Sequence, residues 1–416
     1  MVIKVSKTNG VHGEVNISGS KNSALPCLCA SILTKEWMTF KNVPKIEDVS
    51  HMIKVLKSIG CEVVYLEHNL KIRAKKVKSN IKTNEVSKIR ASYYIMGVML
   101  SRLGRVKIKM PGGCDLGKRP IDFHLDVFQN LGCKIKKAKD YLIINGKLMH
   151  PTIFTFARES VGATINAIFA SVLIKGTTIF KNASIEPEVR DVINLLIKMG
   201  AKIIVKESHD IIITGVNKLS KAEHYIMFDR MEAGSYLFLA GALPNSNLKI
   251  SRINPIDLKT VISVARASKI KVEINRDAIT VKSSNVVAPI ELMIGPFPFF
   301  PTDLQQIITS FLLRAKDISI IEDTIFPGRI SHIQELNKLN AQVLINNEKK
   351  IRIYPSKLKG ATVEAHDLRC AMSLVIAGAM AEGDTYIHQA EHILRGYENP
   401  IGKMKAIGLL IDVISE

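Results

Sequence analysis

Met38-Thr39-Phe40-Lys41-Asn42, then a stretch from Ile46 to Ile59 ending at Gly60, then Cys61-Glu62-Val63-Val64-Tyr65 and Leu70-Lys71-Ile72-Arg73 together decide the fold. The outer pieces alternate polar and apolar residues, as half-buried strands do. The middle piece carries apolar residues at helical spacing and stops at glycine, the residue that takes a left-handed cap at least cost. A small-residue segment, Asn22 to Leu33, precedes the unit and reads as a helix buried on all sides. The two closing strands are too close for parallel crossovers, so they pair antiparallel.

Working outward, the same grammar returns five times. Val106-Lys107-Ile108-Lys109 and Gly132-Cys133-Lys134-Ile135 bracket a second helix, and Thr178-Ile179-Phe180-Lys181-Asn182 and Gly200-Ala201-Lys202-Ile203 a third. Later units begin at Leu248, Ile318 and Thr385. The helix stops fall at 60, 132, 200, 269, 340 and 408, spaced 72, 68, 69, 71 and 68 residues apart. So steady a period predicts six copies of one βαβαββ unit. Lys269 and Asn340 stand where the other stops have glycine. Lysine tolerates the left-handed cap poorly, so the fourth unit reads as the weakest. The small-residue runs Ala163 to Ala167 and Ala371 to Gly378 predict helices clustered inside and sheets outside, with the units grouped three and three around two cores.

Bulk properties narrow the function classes. The chain has 416 residues, 47% hydrophobic and 23% charged, with a net charge of +20. The lysines are scattered, no basic block exceeds a few residues, and a single Trp offers no aromatic-basic interleaving. These features exclude a nucleic-acid binder. Small anionic substrates and a lysine-rich composition remain as readings of the charge. Six cysteines show neither zinc nor disulfide spacing, which points to a reducing compartment. No metal and no cofactor is expected. The N-terminus lacks an apolar core of signal-peptide type, and Lys175 and Glu382 interrupt the apolar stretches. A cytoplasmic protein without membrane insertion is therefore expected.

One loop breaks the repeat grammar. Met110-Pro111-Gly112-Gly113-Cys114-Asp115-Leu116-Gly117-Lys118-Arg119-Pro120 stands where other units have a short connector. Long loops in compact domains tend to carry function. Lys118 and Arg119 favour the thiolate of Cys114, which makes that thiol a candidate nucleophile or general acid. The other five cysteines fall on predicted helices or strands and read as structural. Ser18-Gly19-Ser20-Lys21-Asn22 opens a helix and offers a weak anion site. Arg90, Arg329 and Arg395 are lone arginines suited to carboxylate or phosphate. Asp303 reads either as a helix N-cap or as a base.

Several motifs occur in order: Ser18 to Pro26, Arg90-Ala91-Ser92, Pro111-Gly112-Gly113-Cys114, Arg119-Pro120-Ile121-Asp122, Ser160 to Thr164, Glu186-Pro187-Glu188, Phe300-Pro301-Thr302-Asp303, Asp367-Leu368-Arg369 and Arg395-Gly396-Tyr397-Glu398. Over essentially the whole chain they resemble the UDP-N-acetylglucosamine 1-carboxyvinyltransferases, a family of the enolpyruvyl transferase superfamily. The resemblance implies two inverse α/β, barrel-like domains of three repeats each. Residues 21–229 would form one domain, 1–20 with 230–416 the other, and the active site would lie in the cleft between them. It implies enolpyruvyl transfer from phosphoenolpyruvate to the 3′-hydroxyl of UDP-N-acetylglucosamine, the committed step of peptidoglycan synthesis and the target of fosfomycin.

The resemblance also assigns roles. Cys114 would be the general acid and Asp303 the base. Lys21, Arg119 and Arg395 would hold the phosphate, and Arg329 and Arg395 would face the carboxylate. Asn22 and Arg90 would order the sugar nucleotide. Arg119, Pro120, Ile121, Asp122 and Phe123 would line the uridine, and Arg158, Glu159, Ser160, Val161 and Ile325 the diphosphate side. The chain departs from the family pattern at Phe299, at Pro327-Gly328 and at Leu394. Those departures keep two alternatives in view: a related enolpyruvyl transferase with another acceptor, and an impaired homologue acting as a binding protein.

Overall fold

The computed structural model describes residues 1–109, 121–138 and 140–414. Every helix stop read from the sequence has a left-handed backbone. The φ values are 105° at Gly60, 90° at Gly132, 102° at Gly200, 66° at Lys269, 64° at Asn340 and 89° at Gly408. Each stop therefore turns the chain from an outer helix into the strand pair that follows.

The chain forms two compact units, one from residues 19–227 and one from Met1–Ser18 with the chain from Phe228 onward. It passes between them at 18/19 and 227/228, against the 20/21 and 229/230 expected from sequence. Among the described residues each unit has three four-stranded sheets. In each sheet a short strand runs parallel to the strand after the inner helix, and the closing pair adds antiparallel. In the third repeat, for example, Ile153–Thr155 lies parallel to Thr177–Lys181, with Phe154 beside Phe180. Thr177–Lys181 and Lys202–Val205 then flank Ile211–Thr214 in antiparallel order. None of the six sheets closes on itself. Each sheet is open, with one face against helices and the other toward solvent, and three such sheets surround the inner helices of each unit as expected.

The inner helices follow the small-residue pattern. Val161–Ser171 buries every residue after Val161, and Arg230–Ala242 and Gln305–Leu312 are buried throughout. Close packing explains the small residues. A Cβ at Gly97, in helix Tyr94–Leu103, would stand 2.7 Å from the Asn166 carbonyl oxygen and from Asn166 Oδ1. The backbone N–H of Gly97 donates to that same Oδ1 at 2.9 Å. The outer helices instead bury one stripe: Glu47–Ser58 hides Val49, Met52, Ile53, Val55 and Leu56 and exposes its lysines.

Three sheets are completed from distant sequence, which the repeat reading did not anticipate. Val2–Ser6 joins the sixth repeat between Asp384–His388 and Ile411–Ile414, with Ile3 opposite Ile387 and Val413. His12–Asn16 pairs parallel with Asn247–Ser251 in the fourth repeat. The first repeat takes its parallel strand from Glu223–Tyr225, with His224 beside Phe40. Ser18 fastens the N-terminal segment to its unit: its N–H donates to Glu232 Oε2 at 2.9 Å and its Oγ accepts from Lys403 Nζ at 2.7 Å.

The fourth repeat gives a direct test of the cap argument. A non-glycine residue in the left-handed region costs about 1–2 kcal/mol, partly offset by the greater unfolded-state entropy of glycine. Lys269→Gly is expected to raise unfolding stability by about 0.5–1 kcal/mol in urea titration. A lower midpoint would show that backbone strain does not govern that stop.

Candidate active site

The expected site residues divide between the two units. In the unit of residues 19–227, Lys21 and Asn22 occupy the first turn of helix Lys21–Ala30, which Ser20 caps by accepting from Ser23 N at 3.3 Å. The Lys21 ammonium is 3.4 Å from Asp48 Oδ2, and both side chains are largely buried. A second group gathers at the head of helix Val161–Ser171. Ser160 caps it through Ala163 N at 3.4 Å. The Arg158 guanidinium lies 4.9 Å from the Phe123 ring, and Arg90 lies 5.9 Å from the Tyr93 ring. Tyr93 packs on His124 at 4.6 Å. Ile121 and Asp122 start the helix that carries Phe123 and His124. Contacts thus join Arg158 to Phe123, and Arg90 through Tyr93 to the adjacent His124, while Ser160 and Val161 follow Arg158 closely in the chain. Glu159 binds His209 Nδ1 at 2.9 Å through one carboxylate oxygen and leaves the other buried without a partner.

Cys114, Arg119 and Pro120 lie outside the described residues. The remaining five cysteines are buried and unpaired. Burial pushes the thiols of Cys61, Cys133 and Cys370 up to about 12 and raises those of Cys27 and Cys29 as well. Cys61 and Cys133 immediately precede strands rather than sitting in them.

In the other unit, Asp303 sits in the 3-10 turn Thr302–Leu304. It does not cap the helix Gln305–Leu312, whose N-cap position is Leu304 with no side-chain bond. Its carboxylate instead lies between two arginines that are each 4% exposed. Oδ1 accepts from Arg329 Nη1 at 2.9 Å and Oδ2 from Arg369 Nη2 at 3.3 Å. Arg329 also donates to the Thr302 carbonyl at 2.5 Å. Asp323 sets up that approach. It accepts from Thr302 Oγ1 at 2.7 Å and from the N–H groups of Ile325 and Phe326 at 2.8 and 2.9 Å, folding the turn that delivers Arg329. Ile325 therefore belongs to the turn supporting the cluster. Phe299 is 53% exposed, and Pro327-Gly328 forms a turn open enough that a Cβ at Gly328 would meet nothing within 4 Å.

Arg369 and Tyr397 are partners that the sequence reading quoted in motifs without giving them a role. The Arg369 guanidinium lies 5.3 Å from the Tyr397 ring, and Tyr397 Oη bonds Ser235 Oγ at 2.8 Å. Burial opposes the charge on Arg369, but Tyr397, Asp303 and Asp229 outweigh it and hold its pKa above the ordinary guanidinium range. A sequence signal existed: a lone arginine just inside the Asp367 cap of an otherwise apolar helix. Arg395 ends the 3-10 helix Ala390–Arg395, two residues before Tyr397. Nε of Arg329 and Nε of Arg369 are buried without an acceptor. Buried guanidinium donors left uncommitted suit a carboxylate or phosphate.

His332 is fully buried near this cluster, and neither ring nitrogen has a partner. Burial, reinforced by Arg329 and opposed by Asp367, lowers its pKa from 6.5 to about 3. His124 falls to about 3 as well, through burial and Arg90. Both rings stay neutral in the folded chain. Below pH 6.5 the unfolded chain takes up protons that the folded chain refuses, so stability falls as pH drops from about 6.5 toward 3. Thermal unfolding between pH 7.5 and 4.5 is expected to show this acid limb, and His332→Leu to flatten it. A limb of unchanged slope in that variant would remove His332 as a contributor.

The fold is that of the enolpyruvyl transferases. The crystal structure of the enolpyruvyl transferase NikO from Streptomyces tendae superposes with a TM-score of 0.90 over 99% of this chain and 98% of that one, at 19% identity. EPSP synthase from Acinetobacter baumannii superposes at 0.76 over the full length of both, at 16% identity. The family model described as EPSP synthase (3-phosphoshikimate 1-carboxyvinyltransferase) matches residues 5–404, and the chain belongs to that family. Among curated relatives, UDP-N-acetylglucosamine 1-carboxyvinyltransferase 2 of Bacillus cereus (strain ZK / E33L) is 38% identical over 96% of this chain and 93% of its own length. The UDP-N-acetylglucosamine 1-carboxyvinyltransferases of Orientia tsutsugamushi (strain Ikeda) and Pelagibacter ubique (strain HTCC1062) are 38% and 36% identical, each over 97% of both chains. No described helix is long and apolar enough to cross a membrane.

Proposed function

We propose that this chain transfers the enolpyruvyl group of phosphoenolpyruvate to the 3′-hydroxyl of UDP-N-acetylglucosamine and releases phosphate, the committed step of peptidoglycan synthesis. The observation that carries the reading is the 36–38% identity, over nearly the full length, to relatives bearing that name. The arrangement of Asp303, Arg329 and Arg369 supports it, because it joins a carboxylate able to take a hydroxyl proton to guanidinium donors suited to an anion.

In the proposed reaction the sugar oxygen attacks C2 of phosphoenolpyruvate and loses its proton to Asp303, while Cys114 protonates C3. Loss of a C3 proton and departure of phosphate then restore the double bond. Lys21, Arg119 and Arg395 hold the phosphate, with Arg329 and Arg395 toward the carboxylate. Asn22 and Arg90 order the sugar nucleotide. Arg119, Pro120, Ile121, Asp122 and Phe123 line the uridine, and Arg158, Glu159, Ser160, Val161 and Ile325 the diphosphate side. The Arg158–Phe123 contact supports that assignment by joining the two sets. The chemistry is cytoplasmic and uses no metal, cofactor, nucleic acid or membrane insertion.

Phosphate release from phosphoenolpyruvate is the test, run with UDP-N-acetylglucosamine, with shikimate 3-phosphate and with no acceptor. Release with the sugar nucleotide alone is expected. Release only with another acceptor would reassign the substrate. Tight binding of UDP-N-acetylglucosamine without release would favour a binding protein over an enzyme.

A further inference from the structure

Three side chains from three separate elements converge inside the unit of residues 19–227. Cys27 lies on the inner helix Lys21–Ala30, Asp191 on the outer helix Pro187–Lys198 of the third repeat, and His224 on strand Glu223–Tyr225. One thiol sulfur, one carboxylate oxygen and one ring nitrogen lie within 4.8 Å of one another. Cys27 is fully buried, and the His224 and Asp191 side chains are 3% and 12% exposed. None of the three belongs to the site described above.

As a plain hydrogen-bonded cluster this arrangement is incomplete. His224 Nε2 and Asp191 Oδ1 are 3.1 Å apart, but His224 Nδ1 is buried with no partner. The other Asp191 oxygen accepts from Ser23 Oγ and from Met227 N at 3.3 Å. Ser23 Oγ is also 3.7 Å from Cys27 Sγ, so the hydroxyl borders the same space. Asp191 thus keeps its carboxylate in the interior with only neutral donors around it, unless the ring takes a proton. A thiolate, a carboxylate and a neutral imidazole sum to two negative charges, which one divalent cation neutralises. Sulfur, nitrogen and oxygen are the donors of tetrahedral zinc, whose bonds of roughly 2.0–2.3 Å set ligand atoms about 3.3–3.8 Å apart. The observed spacing closes to that with side-chain adjustments of about 1 Å.

We propose that Cys27, Asp191 and His224 form a structural site for one thiophilic divalent cation of the zinc type, with the fourth position beside Ser23 open to water. Such an ion ties the helix whose first turn carries Lys21 and Asn22 to the third repeat and to the strand that precedes the crossing at 227/228. Binding displaces the thiol proton, so affinity weakens as pH falls.

The test uses the full-length chain, stripped with a chelator and titrated with Co(II) and then with Zn(II). One equivalent is expected to bind, with a thiolate-to-cobalt absorption band in the near ultraviolet and a zinc-dependent rise of several degrees in Tm. Cys27→Ser is expected to lose the band and the Tm response. Cys133→Ser, at a buried thiol elsewhere, is expected to keep both. His224→Gln is a second variant, with circular dichroism reporting the fold of each. The proposal is overturned if the unsubstituted chain takes up no metal, or if a folded Cys27→Ser chain keeps the cobalt band.

Discussion

Asp303→Asn is expected to lower kcat for acceptor-dependent phosphate release by about 100- to 10,000-fold, the usual worth of a positioned base. The amide keeps an oxygen to accept from Arg329 and gives up the second acceptor, at Arg369 Nη2. The counter-charge is lost as well, so folding should weaken, though less than in a variant that keeps no acceptor. Asp303→Ala removes both acceptors and leaves two buried guanidinium groups facing each other. Breaking such a pair costs about 3 kcal/mol, at the low end for buried ion pairs because Asp303 keeps 27% exposure. The two variants separate chemistry from structure. Both should lose turnover, while the Tm should fall further in the alanine variant, by several degrees. An Asp303→Asn chain with near-normal kcat would remove Asp303 as the base and leave it a counter-ion for Arg329 and Arg369.

Cys114→Ala carries the other large effect. If this thiol delivers the proton to C3 of phosphoenolpyruvate, its loss should cost about 100- to 10,000-fold in kcat, with stability unchanged. Fosfomycin, an epoxide, alkylates a reactive thiol, and mass spectrometry of the treated chain should find the adduct at Cys114. The other five thiols are poor competitors. Burial holds them protonated, with Cys61, Cys133 and Cys370 at about 12, and the thiolate is the reactive form. Cys114→Asp should abolish labelling. Labelling that persists in that variant would assign the reactive thiol elsewhere.

These two predictions draw on different sources. The case for Cys114 is a matter of local sequence: a glycine-rich insertion with Lys118 and Arg119 close by, found by comparing one repeat with the rest. Asp303 was legible only as one of two readings. The N-cap reading was reasonable, since the residue does open a helical segment, yet no backbone N–H takes its carboxylate as a cap. The arginines that claim it lie 26 and 66 residues away. Arg329 stood out in sequence as a lone arginine after Phe326-Pro327-Gly328. Arg369 was marked only by its isolation in an apolar helix, which does not name its partner, and His332 lies in a polar helix, Ser331–Lys338, where nothing local sets it apart.

Local sequence was enough for the six-fold period, for the positions where each outer helix stops, and for the inner placement of small-residue segments such as Ala163 to Ala167 and Ala371 to Gly378. Those features are written in short windows: alternation within a strand, helical spacing, small side chains, and a left-handed residue that glycine or asparagine accommodates. Tertiary structure decided which strands complete which sheets and which buried charges meet. Val2–Ser6 closes a sheet with Ile411–Ile414, and Glu223–Tyr225 supplies the first repeat. Many strands of the right length and alternation would fit either place, so local pattern does not name the partner. Buried ions behave likewise. Desolvation forces each to find a counter-charge, but only the packing of the repeats selects Arg329 and Arg369 for Asp303.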